Sequence, residues 1–333
     1  AGQTPRFRFA IRYTLKIHEI EVLNPMRKIL VPVDGSISSQ FAATHVAERM
    51  RAGEPLALHL LNVQYRPNVH PGLTQVVSAS MINEYAEEQG RAALAPVIAV
   101  LEEAGVEFTT EIAFGDPGRV IFDQAATAAY AEIVMGTRGT SVLGSLLVGS
   151  IATKVVNSVA LPVTLIPTPT LTMHQSGRAT PENAALAPAA KARGLTLLPV
   201  DGSDHSNRAT DHVIAEAGRG VGGDLVLLNV QAPYPKSIAG IAELARAIDD
   251  AQQQEGMQQL RTALASLTAA GLSFRPIVAI GEPAETIARI ALEHAATRIV
   301  MGTRGAGAIA QLLFGSTAKR VLHLVNVPVT LLR

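Results

Sequence analysis

The stretch Met135-Gly136-Thr137-Arg138-Gly139 occurs a second time as Met301-Gly302-Thr303-Arg304-Gly305. In both places nine further residues lead to a Gly-Ser pair, first at Gly149-Ser150 and then at Gly315-Ser316. A match of this length at the same internal spacing indicates that a whole unit is duplicated. The chain is therefore interpreted as two copies of one domain.

The remainder of the chain supports the duplication. Leu30–Ser36 returns almost unchanged 167 residues later as Leu197–Ser203, and Pro162–Leu165 returns 166 residues later as Pro328–Leu331. A period of this length is the size of a domain and far exceeds one unit of a solenoid. We expect an N-terminal extension at 1–25, a first domain at 26–167, a linker at 168–193 and a second domain at 194–333.

Composition limits the class of protein. The 333 residues are 48% hydrophobic and 17% charged, with a formal net charge of zero and no cysteine. A balanced charge disfavours nucleic acid as the main partner, because a duplex-binding surface usually needs a basic excess. No apolar run reaches the roughly 18 residues of a membrane span, and the lack of cysteine excludes disulfides and thiolate metal sites. We expect a soluble, cytoplasmic protein with neither a nucleic-acid nor a membrane partner.

The first 25 residues have no counterpart before the second copy and end just before Met26. They are basic, which is one feature of a mitochondrial presequence. Glu19, Glu21 and the absence of serine count against that reading, and Met26 resembles a natural start. We favour an upstream extension or an artefact, with targeting as the alternative.

Each copy alternates short apolar runs with segments of helical periodicity. Lys28–Val33 is predicted as the first strand and Val106–Phe114 as the third, while Asn83–Ala104 repeats apolar residues every four positions along one face of a long helix. Strictly alternating strands and helices imply right-handed crossovers and a parallel sheet. We predict an α/β fold in which each domain is an open five-stranded parallel sheet with helices on both faces. The 26-residue linker is long enough for the two copies to pack as a pseudo-dimer.

The glycine loop is predicted to bind phosphate. It follows the fourth strand at the carboxyl edge of the sheet, where open parallel sheets bind ligands. Gly136 and Gly139 permit positive φ angles and a close approach of backbone N–H groups to an anion. Gly149 and Ser150 then open a helix whose first N–H groups and dipole favour negative charge. The second copy offers equivalent residues, namely Gly302, Gly305, Gly315 and Ser316.

Two alternatives stay open at this point. Glycines cluster in any tight strand-to-helix loop, so Ser150 and Ser316 are explained equally by plain helix capping. Asp34 and Asp201, at the end of the first strand of each copy, either contact the nucleoside end of a ligand or cap the following turn, as Asp-Gly-Ser commonly does. The repetition of both patterns favours ligand binding.

These motifs together resemble the universal stress protein family in its tandem, two-domain form. The resemblance rests on Val-Pro-Val-Asp-Gly-Ser after the first strand, Gly-Asp-Pro at Gly115–Pro117, and G-x2-G-x9-G-S after the fourth strand, and it extends over about Arg27–Arg333. The last motif is that of the ATP-binding branch. The resemblance implies Rossmann-like domains of the adenine nucleotide alpha hydrolase type, and it implies pairing through the last strand of each copy, Val163–Ile166 with Val329–Leu332.

The resemblance also implies an ATP site in each copy, with Mg²⁺ or Mn²⁺ as a companion of the phosphates rather than a protein-held metal. Asp34 and Asp201 would lie near the adenosine, the backbone at Val63 and Val230 would contact adenine, and the glycines and serines would hold the phosphates. The predicted site residues of the first copy are Pro32, Val33, Asp34, Val63, Met135, Gly136, Arg138, Gly139, Gly149, Ser150 and Ile151. Those of the second copy are Pro199, Val200, Asp201, Val230, Met301, Gly302, Arg304, Gly305, Gly315, Ser316 and Thr317.

Three functions remain in competition. The leading hypothesis is a nucleotide-dependent stress or regulatory protein with two nucleotide sites, no catalytic residues, a possible further homodimer and an unidentified protein partner. Its rival is a slow ATPase or nucleotidyl transferase, because Arg138 and Arg304 offer cationic charge of the kind phosphoryl transfer requires. The missing catalytic base would then come from a partner or from the segment Pro67–Ser80. A nucleotide-free interaction scaffold is the third reading.

Overall fold

A computed structural model describes residues 26–65, 79–137, 148–168, 194–233, 242–305 and 314–333. The predicted extension 1–25, nearly all of the linker, most of Pro67–Ser80 and the two site residues Arg138 and Gly139 lie outside these ranges. The described chain forms two compact units. After the fourth helix, the first unit ends at Leu161 and the second unit continues from Pro162.

The first unit alternates strands and helices as predicted. Its elements are β1 (Arg27–Pro32), α1 (Ile37–Arg51), β2 (Leu56–Gln64), α2 (Ala79–Glu103), β3 (Phe108–Phe114), α3 (Pro117–Thr127), β4 (Tyr130–Gly136) and α4 (Ser150–Ser158). The strands are parallel in the order β3-β2-β1-β4. The carboxyl ends of β1, β2 and β4 therefore meet at one edge, where the predicted site residues follow the strands.

The second unit repeats this order. It contains β5 (Val163–Ile166), β6 (Leu195–Pro199), α5 (Asp204–Ala217), β7 (Leu225–Gln231), α6 (Ala242–Ala269), β8 (Arg275–Ile280), α7 (Pro283–Glu293), β9 (Ala296–Gly302), α8 (Ser316–Leu324) and β10 (Val329–Leu332). Strands β10, β9, β6, β7 and β8 are parallel neighbours in that order. The α/β class, with a predominantly parallel sheet and helices on both faces, is confirmed.

The last predicted strand of the first copy, β5, departs from the parallel pattern. It pairs antiparallel with β10, in a register that sets Thr164 opposite Thr330, and their hydroxyl oxygens are 2.8 Å apart. The predicted pairing of the two last strands is therefore present. The repeat boundary predicted after residue 167 follows β5, whereas the boundary between compact units precedes it.

One strand begins later than predicted for a local reason. The sequence pattern starts the third strand at Val106, but the amide of Val106 donates to the carbonyl of Leu101 at 3.0 Å, and Gly105 adopts φ +65°. Val106 therefore closes the end of α2, as residues beyond a left-handed glycine commonly do. The strand begins only at Phe108.

The core consists of branched aliphatic residues from the strands packed against one face of each helix. Ile29, Leu30 and Val31 of β1 are fully buried, and Leu197 and Leu198 of β6 repeat this burial in the second unit. Consecutive buried residues are expected of a strand covered on both faces. No helix within the described ranges combines the length and the apolarity that a membrane crossing requires.

Candidate functional site

A cleft lies at the carboxyl edge of β1, β2 and β4 in the first unit. Its lining includes every predicted first-copy residue within the described ranges: Pro32, Val33, Asp34, Val63, Met135, Gly136, Gly149, Ser150 and Ile151. The structure thus brings together residues more than 100 positions apart in the sequence. The lining also includes residues that the sequence reasoning missed: Ser39, Leu61, Pro117, Ile121, Thr137 and Ala152.

The lining of this cleft combines two kinds of surface. Leu61, Val63, Ile121 and Met135 supply an apolar wall, while Asp34, Thr137, Gly149 and Ser150 supply polar atoms. Two of the six residues missed from sequence, Leu61 and Ile121, belong to the apolar wall. Ile121 of α3 is 1% exposed, so its pattern is that of an ordinary core residue and carries no signal of a site.

The start of α4 forms part of the polar surface. Gly149 is the residue at the N-cap and adopts φ −57°, and among the described residues no side chain caps this helix. The amide of Gly149 donates to the carbonyl of Thr137 at 2.8 Å, which ties the two ends of the glycine loop together. The first-turn N–H groups that follow are left without a side-chain acceptor, and such a helix start attracts anions.

The same arrangement recurs in the second unit. Gly315 is the N-cap of α8 at φ −63°, again without a side-chain cap in the described part of the chain, and its amide donates to the carbonyl of Thr303 at 2.9 Å. Ser150 and Ser316 each occupy the first helical position, not the cap. Plain helix capping therefore does not explain these two serines.

The expected role of positive φ angles was wrong for the loop glycines within the described ranges. Gly149 and Gly315 have negative φ, and neither Gly136 nor Gly302 adopts a positive one. Close packing is the physical reason for glycine at the strand ends: a Cβ on Gly136 would lie 2.4 Å from the Cβ of Ser38. A Cβ on Gly302 would lie 2.7 Å from that of His205.

Asp34 and Asp201 perform the turn role that the sequence left open. Oδ1 of Asp34 accepts from the amide of Ser36 at 3.0 Å and from its hydroxyl at 2.5 Å. Oδ1 of Asp201 accepts from the same groups of Ser203, at 3.1 and 2.6 Å. Both serines in turn cap the following helix. Each aspartate therefore orders the turn with one oxygen, and its other oxygen, Oδ2, takes no part in these bonds.

The second unit shows directly that the aspartate and the glycine loop are neighbours. A Cβ built on Gly305 would lie 2.6 Å from Oδ2 of Asp201, so the loop approaches this carboxylate closely and a larger residue would require the Asp201 side chain to move. The hydroxyl of Ser203 donates to the carbonyl of Arg304 at 3.4 Å. Asp201 thus faces the beginning of the loop, as its position in the predicted strand order required.

A buried asparagine supports each of these turns. Asn62 and Asn229 are 1% and 0% exposed, and their amide groups donate to the carbonyls of Val33 and Val200 at 2.7 and 2.8 Å. Each bond holds the residue that directly precedes the site aspartate. The sequence signal was a polar residue at the same place in both copies of an apolar strand, Leu-Leu-Asn-Val-Gln.

The second site has a positive electrostatic environment around His205. Burial lowers the pKa of His205, and the charges of Arg304, Arg208 and Arg333 lower the pKa further, against an opposing effect of Asp204. Arg304 is half-buried rather than fully solvated, and its Nε atom is buried. A negatively charged ligand would be favoured here, because the start of α8 and the positive charges of these arginines lie near His205 and the loop.

The geometry defines an α/β protein whose cleft lies at the carboxyl edge of a parallel sheet, with an anion-attracting helix start at one end. The sequence profile of the universal stress protein family matches residues 25–167 and 196–333. The chain therefore belongs to the universal stress protein family, and it carries the family domain twice.

Individual relatives agree with this assignment. The chain is 28% identical over 314 residues to a universal stress protein of Mycolicibacterium smegmatis, covering 92% of this chain and 96% of that protein. It is 36% identical over 149 residues to one of Methanocaldococcus jannaschii, covering 44% of this chain and 85% of that protein. Its fold resembles a crystal structure of a universal stress protein from Archaeoglobus fulgidus, with TM-score 0.61, 21% identity, and coverage of 93% and 97%.

Proposed function

We propose that this protein binds ATP at the carboxyl edge of each domain and acts as a nucleotide-dependent stress-response or regulatory protein. The observation that carries the proposal is the cleft of the first unit, in which an apolar wall ends at an uncapped helix start. A nucleotide has the same division, because its base is flat and largely apolar while its phosphates are charged.

The apolar wall suits the base. Val63 is half-buried and offers aliphatic surface, backed by Leu61 and Ile121, which are already 0% and 1% exposed, and burying the remaining surface against an aromatic ring is favourable. The backbone of Val63 supplies N–H and C=O groups at the same wall, and backbone groups of this kind set the orientation of a ligand. Val230 holds the equivalent position at the end of β7.

The uncapped helix start suits the phosphates. The first-turn amides of α4, together with the hydroxyl of Ser150, donate toward the cleft without competition from a side-chain cap. Asp34 stands at the far side of the turn, with Oδ1 held by Ser36, and is exposed to receive a ligand hydroxyl. A ribose between base and phosphates would meet this carboxylate.

The companion metal of ATP fits this arrangement without a protein cage. Within the described ranges no cluster of three or more histidine, aspartate or glutamate side chains stands ready to hold a metal ion. Mg²⁺ keeps several waters and is commonly bound through substrate phosphates with few protein carboxylates. We expect Mg²⁺ or Mn²⁺ to arrive with the nucleotide and to be held mainly by its phosphates.

Isothermal titration calorimetry on the full chain tests the proposal. Wild-type protein, freed of any co-purified nucleotide, is expected to bind two ATP per chain. Ser150→Asp and Ser316→Asp each place a carboxylate at a helix start, which stabilises the helix but repels phosphate. Each variant is expected to bind one ATP. Ala160→Asp, on the exposed turn beyond the other end of α4, adds the same charge and should keep both.

Absence of ATP binding in the wild type, or two bound ATP in Ser150→Asp, would overturn the proposal. Mass spectrometry of the ligand released by denaturing freshly purified protein identifies the natural nucleotide. Turnover of ATP by the wild type, measured as phosphate or pyrophosphate release, would instead favour the enzyme reading.

A further inference from the structure

The two sites hold different side chains at positions that the sequence repeat makes equivalent. Where the first copy has Ser38, Phe41, Ile151 and Pro167, the second has His205, Arg208, Thr317 and Arg333. Phe41 and Pro167 are exchanged for cationic arginines and Ile151 for a hydroxyl donor, while Ile37 is exchanged for the acidic Asp204. The second site is therefore more polar and more positive than the first.

Three polar atoms at the second site are buried and lack a hydrogen-bond partner among the described residues. They are Oγ1 of Thr303, Nδ1 of His205 and Nε of Arg304. Thr303 is only 2% exposed, and burying an unpaired hydroxyl of this kind is costly. Buried polar atoms that lack a partner within the protein are explained when a ligand completes their bonds.

The position of Thr303 points to the phosphate end of the ligand. Its carbonyl accepts the amide of Gly315, the residue that caps α8, so the side chain belongs to the base of the loop beside the helix start. Its counterpart Thr137 lines the first cleft together with Gly149 and Ser150. Thr303, the start of α8 and the backbone of Arg304 therefore surround one location.

The charges at this location are predominantly positive. Arg304, Arg208 and Arg333 all act on His205, against the acidic Asp204, and the carboxylate of Asp201 also faces Gly305 at the start of the loop. His205 packs through its Cβ against Gly302, at the end of the strand from which the loop departs. A ligand with more phosphate charge gains more from such a field, and hydrogen bonds between charged partners are about twice as strong as neutral ones.

We propose that the second site selects nucleotides by their phosphate charge, so that it prefers ATP to AMP more strongly than the first site does. The first site, in which Ile151 replaces the Thr317 hydroxyl and no arginine matches Arg208, gains less affinity from each added phosphate. This inference rests on the proposed function, because it assumes that both sites take nucleotides.

Single-site proteins allow the two sites to be measured separately. Ser150→Asp leaves the second site and Ser316→Asp leaves the first, and titration of each with ATP, ADP and AMP gives the ratio of Kd for AMP to Kd for ATP. We expect this ratio to be about tenfold larger at the second site, and to fall as salt screens the arginines. Equal ratios at the two sites would overturn the inference while leaving the proposed function intact.

The residues responsible are tested in the Ser150→Asp background. His205→Ser, Arg208→Gln and Thr317→Ile together bring the second site close to the composition of the first, and the ratio should fall to the first-site value with little change in the Kd for AMP. Arg275→Gln removes an arginine at the opposite end of the sheet and should leave the ratio unchanged. If neither site binds any nucleotide, the proposed function itself fails, an outcome distinct from equal ratios.

Discussion

At one buried position the two units carry different residues but keep the same ion pair between a helix and a strand. In the first unit Nη1 of Arg49 on α1 lies 2.9 Å from Oε2 of Glu132 on β4. In the second unit the equivalent residues are Glu216 and Arg298, and Nη2 of Arg298 lies 2.8 Å from Oε2 of Glu216. The pair is retained with its charges reversed.

This reversal shows that complementarity, rather than either residue, is what the fold requires. Glu132 and Glu216 are each about 3% exposed, and a charge buried without a partner costs several kcal/mol. The residues around each pair match the charge of its helix residue. Glu54 also pairs with Arg49 at 2.9 Å, and its equivalent Val221 carries no charge, whereas His212 stands 3.4 Å from Glu216.

Removing one partner of this ion pair should cause the largest loss of stability. Arg49→Met removes the cation of Glu54 and the nearer cation of Glu132, while Arg27 stays 3.8 Å from Glu132, so we expect the free energy of unfolding to fall by about 3 kcal/mol. Arg298→Met should cause a loss of similar size in the second unit. Urea denaturation followed by circular dichroism measures both, and Arg119→Met on the surface of α3 serves as control.

Reversing the pair in the first unit sharpens the comparison further. Arg49→Glu with Glu132→Arg reproduces the second unit but places the new carboxylate beside Glu54, so recovery should be partial. Adding Glu54→Val, the residue found at Val221, should restore most of the remaining stability. Full recovery of the free energy of unfolding without the third change would show that Glu54 does not interact with the charge at position 49.

Substitution of the glycines at the ends of β4 and β9 should cause the next largest loss of stability. A Cβ on Gly136 meets Ser38 at 2.4 Å and the Ser38 carbonyl oxygen at 2.7 Å, so Gly136→Ala must push back the first turn of α1. Overpacking of this kind costs about 1–3 kcal/mol. Gly302→Ala meets His205 at 2.7 Å and should cost less. Gly105, with open space around it but φ +65°, is a control for backbone strain alone.

The smallest effect concerns the helices that follow β3 and β8. Asp116 caps α3 by accepting the amide of Arg119 at 2.9 Å, whereas Glu282 makes no cap bond at the start of α7 within the described chain. Asp116→Ala should therefore lower Tm more than Glu282→Ala does. Differential scanning calorimetry of the two variants decides this, and an equal loss would mean that the cap bond contributes nothing.

The effect of Asp116 should also depend on pH. The backbone bond from Arg119 and the ammonium group of Lys154 lower the pKa of Asp116 below its ordinary value of 3.8. The unfolded state then binds the proton more readily than the folded state, so the contribution is present above pH 4 and is lost as the pH falls through the folded pKa. The Tm difference between wild type and Asp116→Ala should shrink correspondingly below about pH 4.

Much of the candidate site was readable from the sequence because strand ends and glycine motifs are local features. Asp34, Gly136 and Gly149 were placed at one edge by strand order alone, and the structure brings them to one cleft. The apolar wall was only half predicted: Val63 and Met135 were expected at the site, whereas Leu61 and Ile121 look like any other buried aliphatic residue. The reason for glycine at position 136 was also missed, because its close neighbour Ser38 is distant in the sequence.

The sequence by itself determined the duplication, the alternation of strands and helices, and the position of both glycine loops, because these depend on repeated short patterns and on periodicity. Only the tertiary structure decided that β5 pairs in the antiparallel direction with β10. Only the tertiary structure, too, decided that Arg49 pairs with Glu132 and that Glu216 and Arg298 form the equivalent pair in the second unit. It also left buried polar atoms of Thr303, Arg304 and His205 without a partner among the described residues. Such contacts join segments that are far apart in the chain, and their energies depend on burial, which no local pattern of residues records.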